Sequence, residues 1–364
     1  MNIKAKINIL NGVSFNGNMN NQKGLWNWRY KMKSIAFFNN KGGVGKTTLL
    51  CNLAGYIARK EKKKVLVIDA DPQCNTTSYV LEDNNFYSFY FEQGGFTVSS
   101  LIPPLEDGEG FISEYQAIPT NYFGFDIIPG NPTFAASEDF LANEWKDVKS
   151  SDYRGIRSTL VFSDFLSKCS KYDYVFFDMG PSLGAINRAV LLACDYFLTP
   201  MSSDVFSLLA LGNIGKSLSG WRDTFLTGYK GVDSYKKEKI ESIKHSCSIK
   251  FIGYVEQQYV TKTVGGQPRA VRAYDEILKR IPSEIREKVV LPINNHVIEN
   301  FEYKIGSIPN YHSLVPMSQT AHKPIFELMG VDGVVGAHYQ KVKEFELLMK
   351  DISEKMLSNM EVIK

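Results

Sequence analysis

Cysteine is scarce in this sequence, and the few cysteines are not spaced as ligands. Only five occur in 364 residues. They are Cys51, Cys74, Cys169, Cys194 and Cys247. The absence of a C-x-x-C pair disfavours a disulfide framework, a zinc knuckle and an iron-sulfur cluster. We therefore expect reduced thiols in a cytoplasmic protein.

Long apolar runs and a strong charge excess are also missing. No stretch approaches the roughly 18 consecutive apolar residues of a membrane helix, and the N-terminus lacks the charged-then-apolar order of a signal peptide. The net charge is only +3, so any contact with nucleic acid would need a local basic patch. With 44% apolar and 22% charged residues, the composition is typical of a folded domain.

A βαβ unit is predicted soon after residue 32. Residues 34–38 form an apolar strand, a glycine-rich turn follows, and residues 47–60 carry apolar side chains at helical spacing. Residues 65–68 form a second strand of the buried type. The unit indicates parallel strands joined by a right-handed crossover.

Strands continue to alternate with helices further along. Residues 174–178, 196–200 and 251–255 are predicted strands, and no solenoid-length repeat is present. The pattern predicts an α/β fold in which helices flank a doubly wound, mostly parallel sheet. We expect one domain over residues 32–364.

Several segments depart from this alternation. Residues 1–31, rich in Asn and Gly, are expected to be a flexible arm or an over-long start. Insertions are expected near residues 81–157 and 221–248, with a strand at 125–129 inside the first. Residues 337–364 are expected to be largely helical.

The glycine-rich turn reads N-K-G-G-V-G-K-T-T over residues 40–48. Glycines let backbone N–H groups close around phosphate oxygens at the positive end of a helix. Lys46 would reach the β- and γ-phosphates, and the Thr47 hydroxyl would ligate Mg²⁺. The alternative, a turn with incidental lysines, is disfavoured by the flanking strand and helix. Asn40 replaces the first glycine of the usual phosphate-binding pattern, so the motif is a variant.

That variant resembles the K-G-G-x-G-K-[ST] signature of the ParA/MinD family of P-loop ATPases, and it matches from Lys41 to Thr47. The resemblance implies ATP with Mg²⁺ and a P-loop fold. It also implies that Lys41 reaches the phosphates bound by a second subunit, so that bound ATP holds two copies of the chain together as a homodimer. The nucleotide-binding residues it implies in the turn are Lys41, Gly42, Gly43, Val44, Gly45, Lys46, Thr47 and Thr48.

Carboxylates end two of the predicted strands. Asp69 and Asp71 follow residues 65–68, and Asp178 ends residues 174–178. Because ligands collect at the carboxyl ends of strands in an α/β sheet, these side chains are candidates for metal and water. We expect Asp178 to hold Mg²⁺ together with Thr47, and Asp69 to lie behind the direct ligands. The alternative for each aspartate is an ordinary turn or helix-cap role.

Further segments resemble motifs of the same family. Residues 71–75 resemble D-P-Q-x-N, which implies that Asp71 orients the attacking water and acts with Lys41 and Lys46 in catalysis. Residues 178–182 resemble D-x-P-P-S but carry Gly180 in place of a proline.

Residues 308–325 resemble the family's segment from an I-P pair to K-P-I. Contacts with the adenine base are assigned to Gln258, with Gln257 beside it, and to Pro309.

The sequence leaves undecided which partner the ATP-controlled surface binds. Residues 221–280 carry 12 Lys/Arg and 7 Asp/Glu, a local excess of +5. This segment could bind DNA without sequence preference, as in partition ATPases, or it could be a solvated lysine-rich insertion. A helix at 339–360 could attach to a membrane as in MinD or pack in the core, and its acidic residues disfavour the membrane.

Two functions remain as hypotheses. One is a partition or positioning ATPase in the cytoplasm, associated with the nucleoid and stimulated by a ParB-like or other activator protein. The other is a regulatory or defence-system subunit in which the ATP-driven dimer serves as an interaction module.

Overall fold

The computed structural model describes residues 32–202, 204–241, 243, 247–259, 262–264, 267–269, 272–294, 297–299 and 301–363. The expectation for residues 1–31 lies outside this part of the chain. The strands are β1 (Lys33–Phe37), β2 (Val65–Asp69), β3 (Ile118–Pro119), β4 (Asp126–Ile128), β5 (Tyr174–Asp178), β6 (Tyr196–Ser202), β7 (Lys250–Tyr259), β8 (Lys262–Val264), β9 (Gln267–Arg269) and β10 (Lys304–Pro309).

The α-helices of the described residues are α1 (Lys46–Arg59), α2 (Asn75–Val80), α3 (Asp83–Tyr87), α4 (Pro103–Glu106), α5 (Ser137–Trp145), α6 (Tyr153–Thr159), α7 (Val161–Ser167), α8 (Ala185–Ala193), α9 (Val205–Gly231), α10 (Ser234–Glu238), α11 (Arg272–Ile285), α12 (Leu291–Asn294), α13 (Leu314–Ala321) and α14 (His338–Val362). Among the described residues no helix is both long enough and apolar enough to cross a bilayer.

Eight strands form one sheet in the order β10-β7-β6-β1-β5-β2-β4-β3. Neighbouring strands are parallel, except that β3 and β4 are antiparallel. From β1 the chain first builds outward through β2 and then returns to fill β5 and, on the other side of β1, β6. This reversal at β1 makes the sheet doubly wound, and the predicted fold class is confirmed.

The central strands form because their sequences are apolar on both faces. All five residues of β2 are buried, and in β5 only Tyr174 is partly exposed. A strand covered by helices on both faces needs this continuous apolar pattern. Phe37 of β1 packs against Phe176 of β5 with ring centroids 5.4 Å apart and ring planes tilted by 55°, which joins the strands that carry the candidate site.

The C-terminal helix α14 belongs to the core. Its buried side chains Val342, Phe345, Met349 and Ile352 recur at helical spacing, and the helix packs against α1 and β10. Each large apolar side chain buried in this way contributes about 1.5–3 kcal/mol. The apolar face considered for a membrane is therefore covered by protein.

The segment 81–157 is more than an insertion, because it supplies β3 and β4 to the sheet edge. Leu66 of β2 pairs in parallel register with Asp126 of β4. The other predicted insertion, 221–248, begins inside the long helix α9 rather than at its end. Val148 and Ile156 from the first segment share a small apolar cluster with Phe225 of α9, so the two segments pack together.

Candidate functional site

The glycine-rich turn connects β1 to α1 in the conformation that its glycines allow. Gly43 and Gly45 have φ of +71° and +73°, in the region where side chains with a Cβ are strained. Gly45 directly precedes α1, so the turn meets the helix end where free N–H groups carry partial positive charge. An anion such as phosphate fits this arrangement.

A cavity of about 550 Å³ lies at this turn. Residues 42–48 line it, together with Asp71 and Gln73 from the segment that follows β2, Pro181 and Gln319. The cavity thus combines the predicted phosphate-binding backbone with the predicted water-positioning carboxylate.

Lys46 is the buried cation of the cavity, with 8% of its surface exposed. Burial lowers the pKa of Lys46, while the charges of Asp178 and Asp71 act in the opposite direction. The lysine therefore lies within electrostatic reach of both carboxylates and lines the cavity at the start of α1, where it can meet an incoming phosphate.

Asp178 is held by two hydroxyl groups. Its Oδ2 accepts hydrogen bonds from Thr47 Oγ1 and Thr76 Oγ1, both at 2.7 Å. Burial is the main reason that the pKa of Asp178 is raised, although the two hydroxyls and Lys46 oppose it. The register places Asp178 between Phe37 of β1 and Asp69 of β2, directly below the turn.

The residues present fit a magnesium ion. Asp178 Oδ1 is buried and has no hydrogen-bond partner among the described residues, and buried oxygens of this kind normally have one. Within the described chain no three His, Cys, Asp or Glu side chains form a metal cluster. Mg²⁺ suits such a place, because it is usually bound through one or two carboxylates, waters and phosphate oxygens. Thr47 and Asp178 would hold it.

Asp69 is turned toward Thr77. Its Oδ2 accepts hydrogen bonds from Thr77 N at 2.8 Å and from Thr77 Oγ1 at 2.6 Å, and Gly130 N donates to the same hydroxyl at 2.8 Å. Burial, with the charge of Asp178 as a further cause, raises the pKa of Asp69 to about 8. These contacts fix α2 beside β2. A role for Asp69 in the metal site, behind the direct ligands, stays a prediction.

Asp71 faces the segment at residues 180–182. Its Oδ1 accepts a hydrogen bond from Gln73 N at 3.0 Å, and a Cβ added at Gly180 would lie 3.4 Å from the same oxygen. Asn187 of α8 donates to the carbonyls of Gly180 and Ser182 at 2.8 and 2.7 Å. Asn187 thereby fixes the segment in which glycine replaces the family's proline.

Lys41 makes a contact within its own subunit. Its Nζ lies 2.5 Å from Asp204 Oδ2. Its backbone N–H donates to Asn39 Oδ1 at 3.0 Å, and Asn39 in turn donates to the Pro200 carbonyl at 2.8 Å. No sequence motif singles out Asp204, because an aspartate before a helix is common as a cap.

Of the predicted base contacts, only Gln257 and Pro309 have side chains among the described residues, so this assignment stays a prediction. The side chain of Gln258 lies outside the described residues, whereas Gln257 is buried under the turn, with its Oε1 3.2 Å from the Cβ position of Gly45. Pro309 is exposed at the end of β10 and is not among the described residues that line the cavity.

Sequence reasoning missed Gln319, which lies within residues 308–325 and lines the cavity. Its neighbour Ser318 is anchored by the Tyr79 hydroxyl at 2.5 Å.

The basic segment is described only in part. Lys236 and Lys239 are exposed near α10, and Lys237 Nζ donates to the Lys230 carbonyl at 2.9 Å. The side chains of Lys262, Arg269 and Arg272 lie outside the described residues. A continuous basic surface therefore stays a prediction.

A doubly wound parallel sheet with a glycine-rich turn, a buried lysine and a threonine–aspartate pair at its carboxyl edge defines a P-loop nucleotide-binding protein. The AAA_31 family, described as an AAA domain, matches residues 32–226, which is more than half of the chain. The chain belongs to this family, and it is similar to ParA family proteins and to a chromosome-partitioning ATPase. The predicted resemblance is confirmed.

Similar proteins support this placement. A virulence-plasmid ParA family protein of Chlamydia psittaci is 29% identical over 186 residues, which cover 50% of this chain and 62% of that protein. The chromosome-partitioning ATPase Soj of Thermus thermophilus is 29% identical over 180 residues, covering 50% and 59%. Each match spans about three fifths of the relative's length.

A solved structure of a Corynebacterium diphtheriae protein has a TM-score of 0.64 and 28% identity, and covers 80% of this chain and 97% of its own.

Proposed function

We propose that the protein hydrolyses ATP slowly and acts as a nucleotide-switched dimer that drives DNA partition or intracellular positioning. The observation that carries the proposal is that Lys46 and Thr47 line the cavity at the start of α1 while Thr47 Oγ1 donates a hydrogen bond to Asp178. A buried ammonium, a hydroxyl and a partly unpaired carboxylate together match the needs of a triphosphate with its metal.

The chain's own residues divide the work of binding and hydrolysis. Backbone N–H groups of residues 42–48 and the Lys46 ammonium bind the phosphates. Thr47 and Asp178 hold Mg²⁺, which neutralises charge on the phosphate oxygens when bound. Asp71, which lines the same cavity, orients the attacking water. Asn187 keeps the segment opposite Asp71 in place.

The dimer part of the proposal rests on Lys41. About a third of its side-chain surface is exposed, so a second subunit can reach it. In the proposed dimer the Lys41 ammonium contacts phosphates bound by the other subunit, and hydrolysis separates the two. A ParB-like or other activator protein would speed this step, which is what the resemblance to partition ATPases implies.

Bulk DNA is the proposed surface on which the dimer acts, through the basic segment at residues 221–280. Membrane attachment through α14 is disfavoured because the apolar face of that helix is buried.

The test is DNA binding measured with ATP, with ADP and without nucleotide across a salt series. We expect binding to a mixed-sequence duplex only with ATP. The joint substitution of Lys236 and Lys239 by Ala should reduce the slope of log affinity against log salt by about 2, since each phosphate contact contributes about 0.9.

The matched control substitutes Lys341 and Lys343, exposed lysines of α14, and should leave that slope unchanged. Binding that is independent of nucleotide would contradict the partition function. An ATP-dependent dimer without DNA binding would favour the interaction-module hypothesis instead.

A further inference from the structure

The lysine that the proposed dimer needs is engaged inside its own subunit. Lys41 Nζ contacts Asp204 Oδ2 at 2.5 Å. Asp204 comes from a different part of the fold, at the N-terminus of α9, and it also caps that helix. Its Oδ1 accepts a hydrogen bond from Ser207 N at 3.0 Å, and its Oδ2 accepts one from Ser207 Oγ at 3.2 Å.

The charge state of Asp204 supports a stable contact. Partial burial alone would raise the pKa of Asp204, but the hydrogen bonds from Lys41 and Ser207 outweigh it, so that the pKa is lowered. The carboxylate is therefore ionised at neutral pH and attracts the Lys41 ammonium.

The backbone of Lys41 reinforces this placement. Asn39 accepts its N–H and is itself fixed to Pro200 of β6. The cavity is lined by residues 42–48 of the turn, whereas Lys41 contacts the side of the molecule where β6 leads into α9. To reach the phosphates of a second subunit, the ammonium has to leave Asp204.

We propose that Asp204 holds Lys41 in the unpaired subunit and so competes with the second subunit's phosphates for this lysine. Asp204 is a positioning residue that weakens dimer formation until both nucleotide sites are filled. This inference rests on the proposed function, because it assumes that Lys41 acts across the dimer.

The size of the effect follows from the exposure of the pair. About a third of each side chain is exposed, and ion pairs of this kind alter an equilibrium by up to roughly fivefold. A symmetric dimer would break two such contacts. Removing the Asp204 charge should therefore lower the dimer dissociation constant by about twofold to 25-fold.

The test uses Asp204→Asn in the full chain. Asparagine caps a helix about as well as aspartate, so α9 keeps its cap and only the charge is lost. Asp152→Asn is the matched control, since Asp152 caps α6 through Gly155 N at 2.8 Å. Dimer dissociation constants are measured by sedimentation with Mg²⁺ and a non-hydrolysable ATP analogue. The same substitutions are repeated in a Lys41→Ala background.

We expect tighter dimers for Asp204→Asn, an unchanged constant for Asp152→Asn, and no effect of Asp204→Asn when Lys41 is absent. In nucleotide-free protein, acetylation of Lys41 followed by mass spectrometry should be faster in Asp204→Asn than in wild type.

An unchanged dissociation constant, or the same shift in the Lys41→Ala background, would overturn the role of Asp204 and leave the proposed dimer standing. Failure of every variant to dimerise despite bound analogue would overturn both.

Discussion

The buried carboxylate of Asp69 makes a quantitative prediction about stability and pH. Asp69 is fully buried, lies beside Asp178 in the sheet, and has its pKa raised from 3.8 to about 8, first by burial and then by the neighbouring charge. In the unfolded chain the same group titrates near its ordinary value. Between these two pKa values, folding requires Asp69 to take up a proton that the unfolded chain does not hold.

The sign and size follow from this difference. Below a pH of about 4, Asp69 is protonated in both the folded and the unfolded chain and does not lower the free energy of unfolding. As pH rises toward 8, the free energy of unfolding falls by about 1.4 kcal/mol per pH unit, and the rise of the Asp69 pKa from 3.8 to about 8 corresponds to a loss on the order of 5 kcal/mol. Above the folded pKa this contribution no longer changes.

The test compares Asp69→Asn with wild type. Asparagine keeps an oxygen for the hydrogen bonds from Thr77 N and Oγ1 but carries no charge at any pH. We measure urea unfolding without nucleotide or metal. From pH 4 to 8, the free energy of unfolding of the variant should rise relative to that of wild type by on the order of 5 kcal/mol.

The control is Asp233→Asn, whose side chain is 79% exposed in the wild type, and it should follow the wild-type curve. A difference between Asp69→Asn and wild type that stays constant across this pH range would refute the reasoning.

Two further predictions concern the carboxylates at the cavity. Thr76→Val removes one of the two hydroxyl groups that donate hydrogen bonds to Asp178 and should lower the free energy of unfolding by about 1.5–3 kcal/mol. Thr76→Ser keeps the hydroxyl, so equal urea midpoints for the two variants would count against the bond. Asp71→Ala should leave ATP binding intact and slow phosphate release by about 10²- to 10⁴-fold. Hydrolysis at the wild-type rate, or loss of ATP binding, would show that Asp71 does not orient the water.

The sequence predicts the centre of the sheet well because its strands are buried on both faces. Apolar runs predict the bounds of β1, β2 and β5 within one or two residues, and Asp178 is found because it ends β5. The strands at the edges of the sheet are harder to predict from the sequence. β3 has two residues and β4 has three, too short for a periodic pattern, and β10 alternates with glycine and serine.

The choice between Gln257 and Gln258 shows a second limit. Adjacent residues of a strand face opposite sides of the sheet, so a shift of one residue exchanges them. In β7 the register shifts next to Phe251, where Leu198 of β6 pairs with Gly253. This irregularity places Gln257 under the turn. Its local sequence signal is Gly253, which has a φ of +143°, since a glycine inside a strand often marks a bulge.

Long-range contacts set the remaining limit. Thr76 and Asp204 approach their partners from 102 and 163 residues away along the chain. Periodicity and motif spacing cannot predict such contacts, because the contacts depend on how the whole sheet brings its strand ends together.

The most direct measurement is calorimetric titration of ATP with Mg²⁺ into purified protein, beside Lys46→Ala and the surface control Lys341→Ala. The account predicts one site per chain in wild type and in Lys341→Ala, and no measurable binding in Lys46→Ala. Wild-type protein that takes up no ATP, or a Lys46→Ala variant that binds it as tightly, would contradict the assignment of the turn as the nucleotide site.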